Sequence, residues 1–151
     1  MSGQLDLRVG DMFTSTARAI GHGVNCHGVM GAGVAKIIRA RYSAAMFNDY
    51  RTACQTGSLR PGMTRMWSGD AEMPRLANIA SQDRPGPHAE LGLLDSAIRD
   101  ALSEVEEAGL DRLAIPRIGC GIGGLDWSQV QDVLAAAAAD STVALEVWSL
   151  D

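Results

Sequence analysis

The chain of 151 residues lacks several features that would assign it to common classes of protein. It has no run of about 18 apolar residues, which argues against a transmembrane helix and a membrane partner. Its first six residues form no charged and then apolar leader, so we expect no secretory signal and a cytoplasmic location. Lysine and arginine total 13 against 18 aspartate and glutamate residues, a formal net charge of −5. This balance argues against tight, nonspecific binding to nucleic acid, which requires a cationic face.

Cysteine is also scarce. Cys26, Cys54 and Cys120 are odd in number and show no C-x-x-C spacing, which argues against a disulfide framework. Cys26 with His22 and His27 matches no usual zinc spacing, so we predict no metal ion and no cofactor. Cys120 lies between two glycines, and a small filler explains it better than a catalytic thiolate that has no evident histidine partner.

Two glycine-rich stretches are the most informative feature that is present. They span residues 28–35 and 119–124, and each is expected between a strand and a helix. Glycine lets main-chain N–H groups approach a ligand, and the N-terminus of the following helix adds free N–H groups and a positive dipole end. Two such loops predict a bound diphosphate that is held from both sides.

Neither stretch matches a familiar nucleotide-binding motif. The GxxxxGK[ST] pattern of a P-loop is absent from both. Gly119, Gly121 and Gly124 resemble GxGxxG, but no acidic residue ends a second strand about 20 residues later, as a dinucleotide-binding fold requires. The diphosphate site therefore belongs to another fold.

Hydrophobic periodicity predicts strands alternating with helices. Helices on both faces of a largely parallel sheet are expected from this order, and a strand pair without an intervening helix predicts local antiparallel pairing. The predicted strands cover residues 5–9, 19–24, 64–68, 76–80, 113–115 and 143–150. The predicted helices cover 33–41, a segment capped by Ser43, 89–108, and a segment from Asp126 through the alanines at 135–139. We predict one domain over residues 1–151.

Four separated motifs resemble those of macrodomains. They are Gly10-Asp-Met-Phe13, Val24-Asn-Cys26, the glycine stretch at 28–35, and Ile115–Trp127 with its second glycine loop. The similarity covers residues 7–150 and is greatest to the branch that contains the terminal ADP-ribose protein glycohydrolase and the DNA ADP-ribosyl glycohydrolase antitoxin. It implies a three-layer α/β/α fold with a six-stranded mixed sheet that binds ADP-ribose.

The resemblance also implies roles for individual residues. Asp11 would accept a hydrogen bond from the adenine amine, although a turn role explains it too. The side chain of Asn25 would face the distal ribose, or would form its hydrogen bonds with the backbone of its own loop. Leu150 would pack on the adenine ring or in the core. The predicted ligand-binding residues are Asp11, Met12, Asn25, Met30, Gly31, Ala32, Gly33, Val34, Ser81, Gly119, Cys120, Gly121, Ile122, Gly123 and Leu150.

The chain departs from the catalytic pattern of that branch. Gln82 stands at the position of the family's nucleophilic lysine, and Gly123 at the position of its assisting aspartate. An amide forms no covalent adduct, so hydrolysis would use a water held by the predicted catalytic residues Asn25, Ser81 or Gln82. Asp83 and Asp126 are the nearest acidic candidates for a general base, and Asp126 is also a natural helix N-cap.

Three functions follow from these expectations. The first is a hydrolase that removes mono-ADP-ribose from modified proteins, with an acidic side-chain linkage favoured. The second is a noncatalytic ADP-ribose reader. The third, a deADP-ribosylase of nucleic acid, is favoured only by Lys36, Arg39 and Arg51, which could equally form a solvated helix face. The expected partners are ADP-ribose and mono-ADP-ribosylated protein, bound by a monomer.

Overall fold

The structure, a computed structural model, describes residues 3–151 and contains the predicted alternation of strands and helices. A short 3-10 helix, Met12–Thr14, follows the first strand. The strands are β1 (Leu5–Val9), β2 (Ala19–Val24), β3 (Thr64–Trp67), β4 (Arg75–Ala80), β5 (Arg112–Pro116) and β6 (Ala144–Ser149). The α-helices are α1 (Gly33–Arg41), α2 (Ala44–Thr56), α3 (Leu91–Glu107) and α4 (Trp127–Ala139).

The six strands form one mixed sheet in the order β1-β6-β5-β2-β4-β3. Only the β3–β4 pair is antiparallel among the described strands, and the other pairs are parallel. The prediction of a mixed sheet with one antiparallel pair is therefore confirmed. The physical reason is the short polar turn at residues 68–74, which is long enough for a hairpin and too short for a crossover helix.

Helices cover both faces of the sheet, which confirms the three-layer fold. Successive residues of a strand point to opposite faces, so β4 supplies Ile79 to the core beneath α3 and α4, and Leu76 to the core beneath α1 and α2. The apolar residues Leu94, Ile98 and Val105 of α3 are fully buried in the first core. Burying such a side chain contributes roughly 1.5–3 kcal/mol each.

Two elements, α3 and β6, have an end that differs from the predicted one. Helix α3 begins at Leu91, two residues later than expected, because Glu90 has the extended backbone of an N-cap. Strand β6 ends at Ser149, and Leu150 beyond it is 84% exposed. The expectation that Leu150 packs in the core is therefore wrong.

The parallel strands β5, β2 and β4 are neighbours in the sheet, so their carboxyl ends lie at the same edge. The loops that leave these ends cover residues 25–32, 81–90 and 117–126. Ligands of open parallel sheets bind at this edge. Within residues 3–151, the helices are too short or too polar to cross a bilayer.

Candidate functional site

A cavity of about 370 Å³ opens at the carboxyl ends of β2, β4 and β5. Its wall contains both glycine loops and the residues that follow β4. The predicted site residues on this wall are Asn25, Gly31, Ala32, Gly33, Val34, Ser81, Gln82, Gly119, Gly121, Ile122 and Gly123. The fold thus brings residues from three separate loops to one cavity.

The first glycine loop presents the uncapped N-terminus of α1 to the cavity. Ala32 is the N-cap residue, with an extended backbone and no side chain to accept a hydrogen bond. The first intrahelical bond is donated by Lys36 to the Ala32 carbonyl, so the N–H groups of the first turn have no acceptor in the helix. The first turn also contains no acidic residue. The local field therefore favours an anion.

The second glycine loop presents further free N–H groups. Those of Gly119, Gly121, Ile122 and Gly123 find no hydrogen-bond acceptor within residues 3–151. Gly119 has a φ of +81°, which a residue with a Cβ rarely adopts, and its carbonyl accepts a hydrogen bond from Leu125 N at 2.7 Å. This bond closes the loop into a tight bend, and its four unpaired amides belong to residues that line the cavity.

The two glycine loops approach each other across the cavity. A Cβ built on Gly33 would lie 3.1 Å from Ile122 Cδ1, so the side chain of the second loop reaches the start of α1. Gly123 is more tightly enclosed, because a Cβ there would lie 2.7 Å from the Gly119 carbonyl oxygen. The loop backbone therefore has no room for an aspartate at position 123.

The side chain of Asn25 forms hydrogen bonds within the protein. Its Oδ1 accepts a hydrogen bond from His27 N at 2.9 Å, and the main-chain carbonyl of Asn25 accepts one from the Tyr50 hydroxyl at 2.7 Å. Its Nδ2 donates to the Val29 carbonyl at 2.8 Å. These bonds agree with the alternative in which Asn25 shapes its own loop.

Gln82 is also bound to its own loop. Its Nε2 donates to the carbonyls of Arg84 at 2.6 Å and Gly86 at 2.8 Å, which uses both amide hydrogens. Pro85 and Gly86 lie on the cavity wall, so Gln82 holds that part of the wall in place. Ser81 differs from both residues, because its hydroxyl forms no hydrogen bond within residues 3–151 although the residue is only 1% exposed.

Five predicted ligand contacts do not lie on the cavity wall. Asp11 is exposed and its Oδ1 accepts a hydrogen bond from Phe13 N at 3.0 Å, which agrees with the turn alternative. Met12 is mostly buried, and Met30 is 1% exposed in the core beneath α1 and α2, which does not support a ligand contact for it. Cys120 and Leu150 also lie off the wall. The roles of Asp11, Met12 and Leu150 toward adenine stay predictions.

The acidic candidates and the thiols lie outside the cavity wall as well. Asp83 Oδ1 is 3.5 Å from His27 Nε2, which links the first loop to the β4–α3 loop. Asp126 occupies the N-cap position of α4, but its carboxylate accepts from Ser128 Oγ and does not cap the helix. Burial raises the pKa of Cys120, and raises that of Cys26 to about 12, so both thiols stay protonated at neutral pH. A protonated Cys120 agrees with its role as a small filler.

Several residues of the wall were not predicted from the sequence. Arg117 lines the cavity and its guanidinium lies 4.5 Å from the centre of the Trp127 ring. Val29, Pro85 and Gly86 also contribute, although the sequence signal for the last two was present as a proline-rich loop after a strand. Within the described part of the chain, no three His, Cys, Asp or Glu side chains come together as a metal site requires.

Residues 22–134 match the family model described as Macro domain. The chain belongs to the macro domain family. The resemblance and the fold expected from its motifs are therefore confirmed. This macrodomain is 32% identical over 130 residues to the DNA ADP-ribosyl glycohydrolase of Mycobacterium tuberculosis, an alignment that covers 85% of this chain. It spans about 37% of that relative's length.

Solved structures agree with this assignment. The macrodomain of Mycobacterium tuberculosis DarG superposes with a TM-score of 0.85 at 28% identity, covering 97% of each chain. The Thermosipho africanus DarTG structure in complex with ADP-ribose superposes with a TM-score of 0.87 at 22% identity, covering 96% of this chain and 41% of that one. At that lower identity the likeness concerns the fold alone.

Proposed function

We propose that this macrodomain binds ADP-ribose, with the diphosphate held between the start of α1 and the second glycine loop. The observation that carries the proposal is the set of free N–H groups that both loops present to one cavity. A protein with a net charge of −5 can bind an anion in this way because the donors are main-chain amides. The cavity volume also falls in the range of about 300–1,000 Å³ that is typical of small-molecule sites.

We further propose that the bound ADP-ribose is one end of a modified macromolecule and that the protein hydrolyses the bond to it. Support comes from a relative at 32% identity that is named a DNA ADP-ribosyl glycohydrolase. That name favours ADP-ribosylated DNA over the acidic side chain of a protein that the sequence analysis favoured. Arg51 and Arg84 add to this preference, because both are exposed beside the cavity loops and neither pairs with a carboxylate within residues 3–151.

The hydrolysis proposed for this chain uses water and no covalent adduct. Gln82 offers no amine, and its amide hydrogens are bound to the Arg84 and Gly86 carbonyls. Position 123 has no room for a carboxylate. The free amides would instead fix the diphosphate, orient the distal ribose and hold its anomeric carbon in the path of a water molecule.

The test is release of ADP-ribose from two matched substrates. One is a single-stranded DNA oligonucleotide carrying one ADP-ribose, and the other is a protein mono-ADP-ribosylated on glutamate. Chromatography of the free ADP-ribose should show release from the DNA well above the rate in buffer, with slower release from the protein. Faster release from the protein would reverse the preferred substrate, and release from neither would reject the hydrolase.

The second candidate is a noncatalytic reader of ADP-ribose, favoured by the hydrogen bonds that engage Gln82. A reader would bind ADP-ribose in isothermal titration calorimetry and release none from either substrate. Absence of binding at millimolar ADP-ribose would contradict both functions, because each depends on the same cavity.

A further inference from the structure

Ser81 carries a hydroxyl group that is open to the cavity and has no partner in the protein. The residue follows β4 directly, lines the cavity and is 1% exposed. Its main chain is satisfied, since Ser81 N donates to the Ile79 carbonyl and the Ser81 carbonyl accepts from Glu90 N. The sealed and unpartnered side-chain atoms of residues 3–151 are His22 Nδ1 and Asn78 Nδ2, so Ser81 Oγ retains contact with the cavity. A buried hydroxyl without a partner is costly, which implies a partner from within the cavity.

Gly23 lies beside this hydroxyl and has no side chain to cover it. A Cβ built on Gly23 would lie 2.9 Å from Ile118 Cγ2, 3.0 Å from Ser81 Oγ and 3.9 Å from Gly119 N. Ser81 and Gly23 therefore line the same part of the cavity. A hydroxyl oxygen without a protein partner can accept a hydrogen bond from one water molecule there.

The other two predicted water-binding side chains are partly engaged by their own loops. Asn25 Oδ1 accepts from His27 N and Asn25 Nδ2 donates to the Val29 carbonyl, and both amide hydrogens of Gln82 are bound to carbonyls. Of the three, Ser81 is the one whose side chain has no hydrogen-bond partner within residues 3–151. We propose that Ser81 Oγ holds the water that attacks the anomeric carbon of the distal ribose. This inference rests on the proposed hydrolase function.

The reaction then adds one water molecule across one bond. The water oxygen forms a bond to the anomeric carbon, while the glycosidic bond from that carbon to the DNA breaks and its electron pair leaves with the DNA. The attacking water releases one proton to solvent, and the departing atom of the DNA takes one proton from solvent. Ser81 keeps its own proton throughout and acts by orienting the water.

The experiment separates turnover from binding in the variant Ser81→Ala. We expect kcat for release from ADP-ribosylated DNA to fall by about 10- to 100-fold, since orientation of a nucleophile contributes effects of this order. The Kd for ADP-ribose should change by less than about threefold, because the main-chain amides still hold the diphosphate. Ser68→Ala is the matched control: Ser68 is exposed in the loop after β3, and its kcat should equal that of the wild type.

A second variant, at Gly23 of β2, changes the space beside the same water. Gly23→Ala places a Cβ 3.0 Å from Ser81 Oγ, and should lower kcat by a similar factor if the folded protein keeps its circular dichroism. A crystal structure with ADP-ribose should show an ordered water on Ser81 Oγ, near the anomeric carbon.

Three results would overturn the inference. Unchanged kcat in Ser81→Ala with an active wild type rejects the role of Ser81 and leaves the hydrolase function intact. A loss of affinity equal to the loss of kcat, or a ribose or phosphate oxygen on Ser81 Oγ in the crystal, makes Ser81 a ligand-binding residue instead. A wild type that binds ADP-ribose and releases none rejects the hydrolase function and this role together.

Discussion

Gly123 illustrates, at the scale of the residue, how a missing side chain shapes the cavity. A Cβ at this position would lie 2.7 Å from the Gly119 carbonyl oxygen and 2.8 Å from Ala89 Cβ, closer than real Cβ contacts. The loop after β5 therefore packs against Ala89, two residues before the start of α3. Its amides can turn toward the cavity only because position 123 is glycine.

The first prediction concerns Gly123→Ala. We expect weaker binding of ADP-ribose, by about tenfold or more, because the loop must shift to relieve the contact and its free amides move with it. Calorimetry and thermal unfolding measure the two effects. Gly92→Ala in α3 is the matched control, since a Cβ there meets nothing within 4 Å. It should leave binding unchanged, and equal affinities of Gly123→Ala and the wild type would contradict the role given to this loop.

His22 is a second residue whose environment has a measurable consequence. It lies in β2 opposite Asn78 of β4, with His22 Nε2 and Asn78 Oδ1 2.6 Å apart. Burial lowers its pKa from 6.5 to about 4, and the hydrogen bond that His22 Nε2 donates to Asn78 Oδ1 opposes this only in part. The unfolded chain therefore binds a proton near pH 6.5, whereas the folded protein does not until about pH 4.

We predict that stability falls as the pH falls from 6.5 toward 4. The contribution of His22 is fully present above pH 6.5, and on the order of 3 kcal/mol is lost across this window. Urea unfolding at pH 7 and pH 5 measures the change. His88→Ala, which removes an exposed histidine, should keep this dependence, and His22→Gln should reduce it. A pH dependence that is the same in all three proteins would contradict the assignment.

At the scale of the element, α1 and α2 differ in how their N-termini are satisfied. Ser43 caps α2 by accepting a hydrogen bond from Met46 N at 3.3 Å, as its position predicted. Ala32 offers α1 no such bond. The helix that borders the cavity is thus the one whose first turn is left free, which is consistent with an anionic ligand acting as its cap.

The third prediction concerns the N-terminus of α1, where a substitution should raise the stability of the fold and weaken ADP-ribose binding. Ala32→Asp should stabilise the folded protein by about 0.5–2 kcal/mol through an N-cap hydrogen bond, while its carboxylate repels the diphosphate and weakens ADP-ribose binding by about tenfold or more. Ala32→Ser is the uncharged comparison, with a smaller loss of affinity. Ser43→Ala should lose stability and keep its affinity. Unchanged affinity in Ala32→Asp would place the diphosphate elsewhere.

At the scale of the whole molecule, the arginines that form ion pairs and the proposed ligand cavity lie in separate places. Several arginines outside the cavity form ion pairs or stack on rings: Arg65 pairs with Asp49, and the Arg39 guanidinium lies 3.7 Å from the centre of the Phe47 ring. Arg39 therefore has a structural role apart from any nucleic acid. The cavity wall presents unpaired backbone amides, and Arg117 is the cationic residue on it among residues 3–151.

The fourth prediction follows from this distribution. The Kd for free ADP-ribose should change little, by less than about fivefold, between 50 and 200 mM salt, because few cations take part. Binding of ADP-ribosylated DNA should weaken more steeply, and Arg51→Ala with Arg84→Ala should remove much of the difference. Equal salt dependence for the two ligands would contradict a DNA contact at these arginines.

Local patterns in the sequence were sufficient for the type and order of the elements. The period of the apolar residues in α3 and the glycines of both loops are properties of neighbouring residues, and they survive in the structure with small shifts of the ends. The motifs of the macro domain family could be recognised for the same reason, since each consists of neighbouring residues.

Only the tertiary structure decided which polar groups are free. Asn25 finds Tyr50 from α2, and position 123 is closed by Ala89, contacts that join residues far apart in the chain. The burial of Met30 and the exposure of Leu150 likewise depend on how the layers pack. The sequence determines the chemistry of a side chain. Whether that side chain has a hydrogen-bond partner depends on every element that packs around it. The open hydroxyl of Ser81 is therefore a property of the fold.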